Sequence, residues 1–353
     1  MERALNRIWY GDAPNSLLPL LLLLPLSWLY GAVMSVRRAF YAQGWLPSYR
    51  IDRPVVVVGN VTVGGTGKTP LVAWLAEALT RRGLKVGILS RGYGATATKP
   101  IVVEPGSRWQ NVGDEPLLLR QRTGCDVVVS IDRVAGAQLL VQRGADVILA
   151  DDGLQHLRLA RDVEIVVVDG ARGFGNGMLL PAGPLREPAA RTSLANLVVI
   201  NGTPEHSSLA HVPMAQDLQA VQMGLAPGRV MSVSGKQADL ALESFRGQRV
   251  HAVAGIGNPR RFFADLRARG LDIVEHPFAD HHPFTAADLD FGDAAPVLMT
   301  EKDAVKCRAL ADPRGLAKAW YVPVTARFSD AHAAGLVEQV VARLGRSVKT
   351  VVR

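Results

Sequence analysis

Residues 54–58, Pro-Val-Val-Val-Val, form an apolar, β-branched run that reads as a fully buried strand. The loop behind it, Thr62-Val-Gly-Gly-Thr-Gly-Lys-Thr69, runs directly into an apolar-periodic segment at residues 70–79. A strand that feeds a helix through such a loop points backbone N–H groups at phosphate. It also sends Lys68 to the outer phosphates and offers the Thr69 hydroxyl to Mg²⁺. The pattern is a P-loop, and the nucleotide-contacting set it predicts is Thr62, Val63, Gly64, Gly65, Thr66, Gly67, Lys68 and Thr69. Thr62 stands where the usual motif has its first glycine, and Gly64 and Gly65 keep the loop permissive.

Further short apolar runs follow at residues 85–89, 126–129, 146–150, 164–168 and 197–200, with helical patterns at 115–122 and 134–142 between several of them. This alternation predicts an α/β fold, a P-loop NTPase-like parallel sheet flanked by helices. With 48% hydrophobic and 20% charged residues the chain has a substantial core to bury, which argues against disorder. In sheets of this kind ligands gather at the carboxyl ends of the strands. Three acidic groups fall there: Asp114, the pair Asp151 and Asp152, and Asp169. Asp151 best fits a Walker B carboxylate because it directly ends an apolar strand, and Asp169 is its rival by the same rule. Adjacent carboxylates repel without a cation, so Thr69, Asp151 and Asp152 are the expected Mg²⁺ set. Spacing leaves open whether His156 faces a ligand.

Ahead of the P-loop, residues 13–36 carry no charge, and that length reaches the ~20 residues that span a bilayer. Pro19 and Pro25 interrupt the run, and Trp28, Tyr30, Trp45 and Tyr49 are interfacial types, which favours a kinked helix dipping into the membrane over a true span. Arg3 and Arg7 precede it and Arg37, Arg38, Arg50 and Arg53 follow, so charge bias fixes no orientation. Asp12 before the run, and the lack of a small-x-small site after it, argue against a cleaved signal peptide. The net charge of +8 is scattered arginine with few aromatics, a poor match to a nucleic-acid partner and a better one to an anionic lipid surface. Cys125 and Cys307 follow no metal-ligand spacing and build no disulfide framework, which fits a reducing cytoplasm.

After about residue 227 the pattern restarts: strands at 249–254, 271–275, 297–299 and 320–324, and helices at 260–269 and 331–344. The expected organisation is an N-terminal membrane-associated segment at 1–50, a P-loop core at 51–227 and a smaller C-terminal α/β domain at 228–353. Gly255-Ile-Gly257 lacks the third glycine of a dinucleotide loop, and Asn258-Pro259 reads as a helix start, so no cofactor is assigned there.

Several segments together resemble the tetraacyldisaccharide 4'-kinase family. They are residues 59–70 with the P-loop, Ser90-Arg-Gly-Tyr-Gly94, Val112-Gly-Asp-Glu-Pro-Leu117 and Asp151-Asp-Gly-Leu-Gln-His156. Leu179-Leu-Pro-Ala-Gly-Pro-Leu-Arg-Glu-Pro188, Ala254-Gly-Ile-Gly-Asn-Pro259, Phe278-Ala-Asp-His281 and Thr300-Glu-Lys-Asp303 complete the series. The resemblance implies transfer of the γ-phosphate of ATP to the 4'-hydroxyl of tetraacyldisaccharide 1-phosphate, giving lipid IVA. It implies a place on the cytoplasmic face of a Gram-negative inner membrane, with that bilayer and the glycolipid as partners and no obligate protein partner. It further implies that Asp114 accepts the sugar hydroxyl proton, with His281 as its orienting partner; by residue type alone Asp114 reads as a helix N-cap. Arg186, between Pro184 and Pro188, is the candidate phosphate or transition-state cation, with Arg91 a second. Two other classes fit less well. Val63 stands where membrane-localising ATPases carry a signature Lys, and residues 300–303 lack the spacing of guanine recognition. A soluble ligase with the same loop would leave the apolar N-terminus unused.

Overall fold

The computed structural model describes residues 5, 8–11, 17–92, 99–210, 220–310 and 316–351. Arg3, Arg7, Asp12, Tyr93 and Gly94 lie outside the described residues. Among the described residues, the strands form two sheets. In chain order the elements used below are helix α1 (Leu17–Ala42), β1 (Val55–Gly59), α2 (Lys68–Arg81), β2 (Val86–Ser90) and β3 (Ile101–Val103). Next come α3 (Asp114–Thr123), β4 (Asp126–Val129), α4 (Arg133–Gln142), β5 (Val147–Asp151), β6 (Val163–Asp169), β7 (Leu197–Asn201) and β8 (Val221–Pro227). The rest are β9 (Met231–Ser232), β10 (Arg249–Ala254), α5 (Pro259–Ala268), β11 (Asp272–Pro277), β12 (Val297–Thr300), α6 (Glu301–Cys307), β13 (Ala319–Val322), β14 (Val324–Arg327) and α7 (Asp330–Val351).

The large sheet has the order β14-β8-β7-β6-β1-β5-β2-β4-β3. Its seven inner strands are parallel, and the two edge strands, β3 and β14, run antiparallel to their neighbours. β1 lies between β5 and β6, helices pack on both of its faces, and all five of its residues are buried. The pleat divides them: Val56 and Val58 join the core under α2, α3 and α7, whereas Val55 and Val57 join the core with α4 on the other face. Such strands read as unbroken apolar runs, which is why their positions were legible.

The small sheet has the order β11-β10-β12-β13-β9, with only the edge strand β9 antiparallel. Residues 320–324, expected as one strand of the C-terminal unit, are two strands in two sheets. β13 ends at Val322 in the small sheet, and β14 begins at Val324 and pairs with β8 in the large one. Pro323 divides them, as suits a residue with no N–H to give to a ladder. Helix α7 then packs Leu336, Val340 and Leu344 into the core under the large sheet. Residues 324–351 therefore lie with the nucleotide unit, not with the smaller one to which the expected 228–353 boundary assigned them.

Helix α1 is long and apolar enough to cross a membrane, with a mean hydropathy of 1.6 over Leu20–Ala42. Pro25 lies inside it. Its polar side chains hold it to the body: Ser27 Oγ donates to Leu179 O (2.8 Å), Tyr30 OH to Arg186 O (2.9 Å) and Arg37 to Gln155 O (3.1 Å). Leu22, Leu26, Leu29, Val33, Val36 and Phe40 face outward and are exposed.

Candidate active site

The site starts where β1 stops. Past Gly59 the chain turns through Asn60 and Thr62, both buried, and is pinned to the segment that carries Arg186. Val63 N–H donates to Pro184 O (2.8 Å), and Arg186 N–H donates to Val61 O (2.7 Å). Helix α2 opens on Gly67 at φ 91°, the left-handed region that glycine enters without strain, and no side chain caps it. A Cβ at Gly67 would collide with the side chain of Asn201, whose Nδ2 donates to Thr66 O (3.0 Å). The first-turn N–H groups of α2 are thus left for a ligand.

Two cations and one carboxylate meet at this loop. Arg186 grips Asp152 with both terminal nitrogens, at 3.0 and 2.9 Å, and Lys68 Nζ lies 3.6 Å from the same carboxylate. Asn60 gathers the same cations: its Oδ1 accepts from Lys68 (3.1 Å) and from Arg186. Burial alone would raise Asp152, but Lys68 and Arg186 outweigh it and hold the carboxyl well below the usual range.

Asp151 is the opposite case. It ends β5, is buried, and its Oδ1 has no hydrogen-bond partner. Burial first, and the charge of Glu115 second, push its carboxyl upward. Below it Arg133 is buried on α4 and donates to the carbonyls of Leu89 (3.1 Å) and Asp151 (3.2 Å); burial lowers its guanidinium to about 10. A stranded carboxylate at the end of the strand beside the P-loop, with the Thr69 hydroxyl in the first turn of α2, is a donor set that suits Mg²⁺. Among the described residues no three His, Cys, Asp or Glu side chains form a ready cage. A hard cation here would rely on phosphate oxygens and water for the rest of its shell, as Mg²⁺ commonly does.

Asp169, the rival carboxylate, is committed elsewhere. It accepts from the N–H groups of Ala171 and Arg172 (3.0 Å each) and from Arg261 (3.3 Å). With Asn201, Thr203 and Arg261 it lines a cavity of about 380 Å³ that adjoins the P-loop through Asn201. His156 is kept neutral, lowered to about 4 by burial and then by Arg133 and Arg91. Arg91 itself is exposed.

The second cluster lies at the seam between the sheets. Asp114 is the first residue of α3, and Gly113, at φ 90°, occupies the cap position assigned to it by residue type; Asp114 Oδ1 accepts from Glu115 N–H (2.8 Å). Its Oδ2 meets His281 Nδ1 at 3.0 Å, across 167 residues of sequence. His281 sits at φ 60°, a conformation rare outside glycine. Its Nε2 lies 3.4 Å from Lys302 Nζ, which can only donate, so the geometry favours an Nδ1–H that donates to Asp114. Burial raises Asp114, yet the His281 hydrogen bond, Lys302 and Lys306 together leave it below its ordinary value. The same bond to Asp114 raises His281.

The sequence reading missed Asn60, Arg133, Asn201, Lys302 and Lys306. Asn60 and Asn201 directly follow buried strands, the position where ligand groups collect, and that signal was available. Lys302 lies in the 300–303 segment that carries the family resemblance, without a role attached to it there, and Lys306 lies beyond that segment.

A family model described as tetraacyldisaccharide-1-P 4'-kinase matches residues 19–343. A protein named tetraacyldisaccharide 4'-kinase from Alkalilimnicola ehrlichii is 52% identical over 306 residues, covering 86% of this chain and 87% of its own length. One of the same name from Xanthomonas euvesicatoria is 51% identical over the same shares. Among solved structures, LpxK from Aquifex aeolicus in complex with ATP superposes with a TM-score of 0.74 at 27% identity, over 91% of this chain and 98% of that one.

Proposed function

The chain belongs to the tetraacyldisaccharide 4'-kinase family, and from that premise we propose that the two clusters are the two halves of one phosphoryl-transfer site. It is a kinase of lipid A biosynthesis that phosphorylates the 4'-hydroxyl of tetraacyldisaccharide 1-phosphate, with ATP as donor. The nucleotide half lies on the large sheet. Its triphosphate rests on the first turn of α2, and the cavity of about 380 Å³ beside Asn201 takes the nucleoside end. Lys68 and Arg186, which now converge on Asp152, transfer to the phosphate oxygens. Their convergence is the observation that carries the reading. Two cations from distant segments aimed at one point beside a bare helix N-terminus form a site for a concentrated anion. Thr69 and Asp151, with Asp152 once its cations have moved, are the groups that hold Mg²⁺. When bound, Mg²⁺ neutralises charge on the β- and γ-phosphate oxygens.

In the acceptor half Asp114 Oδ2 takes the proton of the 4'-hydroxyl as its oxygen bonds to the γ-phosphorus and the bond to the β-phosphate oxygen breaks. His281 Nδ1–H holds that carboxylate in line. Helix α1 presents its outward stripe to a bilayer and its polar side to the Arg186 segment. This brings the acyl chains, along the apolar surface around Leu22 to Tyr30, next to the transfer site. An interfacial helix fits better than a span, because the contacts of Ser27, Tyr30 and Arg37 tie one side of it to protein. The face so docked is assigned to the cytoplasmic side of the inner membrane, where ATP is available.

The test is transfer of labelled γ-phosphate from ATP to disaccharide 1-phosphate in detergent micelles. The wild type forms product. Lys68→Ala and Asp114→Ala lose at least about 10²-fold in rate, and His281→Ala loses about 10-fold or more. An Asp114→Ala enzyme at the wild-type rate would move the base elsewhere.

A further inference from the structure

Beneath the Asp114–His281 pair lies a lysine that the transfer chemistry does not use. Lys306, on α6, is fully buried. Its Nζ lies 2.9 Å from Asp303 Oδ1 and 3.8 Å from Asp114 Oδ2, and 5.1 Å from the centroid of the Phe284 ring. Asp303 is itself fully buried and is held rigidly: its Oδ2 accepts from Gly255 N–H (2.9 Å) and from the Thr300 hydroxyl (2.6 Å). One ammonium thus stands between two carboxylates, one on its own helix and one across the seam on α3. Lys306 Nζ and Asp303 Oδ1 attract as an ion pair without hydrogen-bond geometry, so Asp303 alone does not satisfy the buried ammonium, and its approach to Asp114 calls for a role.

The surroundings of Asp114 sharpen the point. The charged and titratable groups that face it are His281, Lys302 and Lys306, with Glu115, Asp280 and Asp303 around them. Lys302 is drawn away by Glu115 (2.9 Å) and Asp280 (3.2 Å) and lies 4.0 Å from Asp114. Lys306 is the cation without access to solvent, and its attraction is the least screened.

We propose that Lys306 is a positioning residue for the acceptor-activating carboxylate: paired by charge with Asp303, its buried ammonium holds Asp114 Oδ2 in place against His281 across the seam. The inference rests on the reading of Asp114 as the base. It joins the 300–303 segment, through Asp303, to the chemistry without any contact to substrate.

The experiment uses full-length enzyme in micelles, with kcat/KM followed against pH and thermal stability followed in parallel. Lys306→Met strands Asp303 and lowers Tm. Lys306→Met/Asp303→Asn removes both buried charges and regains most of that Tm, yet Asp114 has lost a cation. Its acidic limb moves to higher pH by about one unit, with about a 10-fold loss of rate below the limb and KM for ATP within about twofold. Asp303→Asn alone keeps the lysine and frees it to serve Asp114, so the limb stays or moves to lower pH. A double variant with the wild-type profile, or an upward move in Asp303→Asn, overturns the role of Lys306. Asp114→Asn separates the two readings. If that variant is inactive while the double variant is normal, only the lysine's role falls; if Asp114→Asn stays active, the base assignment falls and takes this inference with it.

Discussion

Gly67 decides whether the nucleotide loop exists. It holds φ 91°, and a Cβ there would run into Asn201, the residue that ties β7 to the loop through Thr66 O. Gly67→Ala therefore combines left-handed strain, about 1 to 2 kcal/mol, with a side-chain clash. The expected result is a folded protein with lower Tm whose stabilisation by ATP is lost; an ATP-dependent rise in Tm equal to wild type would refute it. The neighbouring carboxylates divide along environment. Asp152 is held ionised by Lys68 and Arg186, whereas Asp151 is stranded by burial. Lys68, Asp152 and Arg186 could be named from sequence because each belongs to a local motif with its own chemistry. Lys306 could not, because its role arises from a partner 192 residues away. His281 is intermediate: only the family resemblance pointed to Asp114.

At the scale of elements, the inner parallel strands other than β8 were legible because burial on both faces turns each into an unbroken apolar run. The strands that went unread have one weak face or a broken pattern. β3 is a three-residue edge strand, and β8 alternates buried and exposed residues around Gly224 before ending in Pro227. β14 was hidden behind Pro323, in an apolar stretch that gave no sign of a change of sheet. Helix α1 was legible in length, and its working face was not. The outward residues Leu22, Leu26, Leu29, Val33, Val36 and Phe40 follow a spacing of three and four, so they form one stripe. If that stripe enters a bilayer, each buried leucine contributes about 2 kcal/mol. Leu22→Glu with Leu29→Glu should lower partition onto anionic phospholipid vesicles by at least about 10²-fold while ATP-dependent stabilisation stays. Cosedimentation equal to wild type would show that the stripe meets something other than lipid.

The whole molecule is organised by two adjacent crossings between sheets. One is the Pro227–Met231 passage from β8 to β9 and the other is Pro323 between β13 and β14, with Gly228 N–H donating to Pro323 O (2.8 Å). A pair of crossings bound side by side is a natural axis for closure, and the residues that would close lie on loops from opposite units. The 255–258 loop of the small sheet already reaches the P-loop: a Cβ at Gly257 would lie 3.6 Å from Gly65 N. Neither glycine has a positive φ, and a Cβ at Gly65 meets nothing within 4 Å, so both positions tolerate a side chain. Gly65→Cys with Gly257→Cys, in a Cys125→Ser background, should form an internal disulfide on mild oxidation after a small adjustment of the two loops. A triphosphate seated on the loop lies in the path of that bond, so ATP should slow its formation. The oxidised enzyme should lose transfer activity and recover it with reductant. If oxidation gives no crosslink, the loops do not meet in solution. A crosslink that forms at the same rate with and without ATP would mean that the triphosphate does not enter between the two units, and the site could not then be completed by closure across this seam.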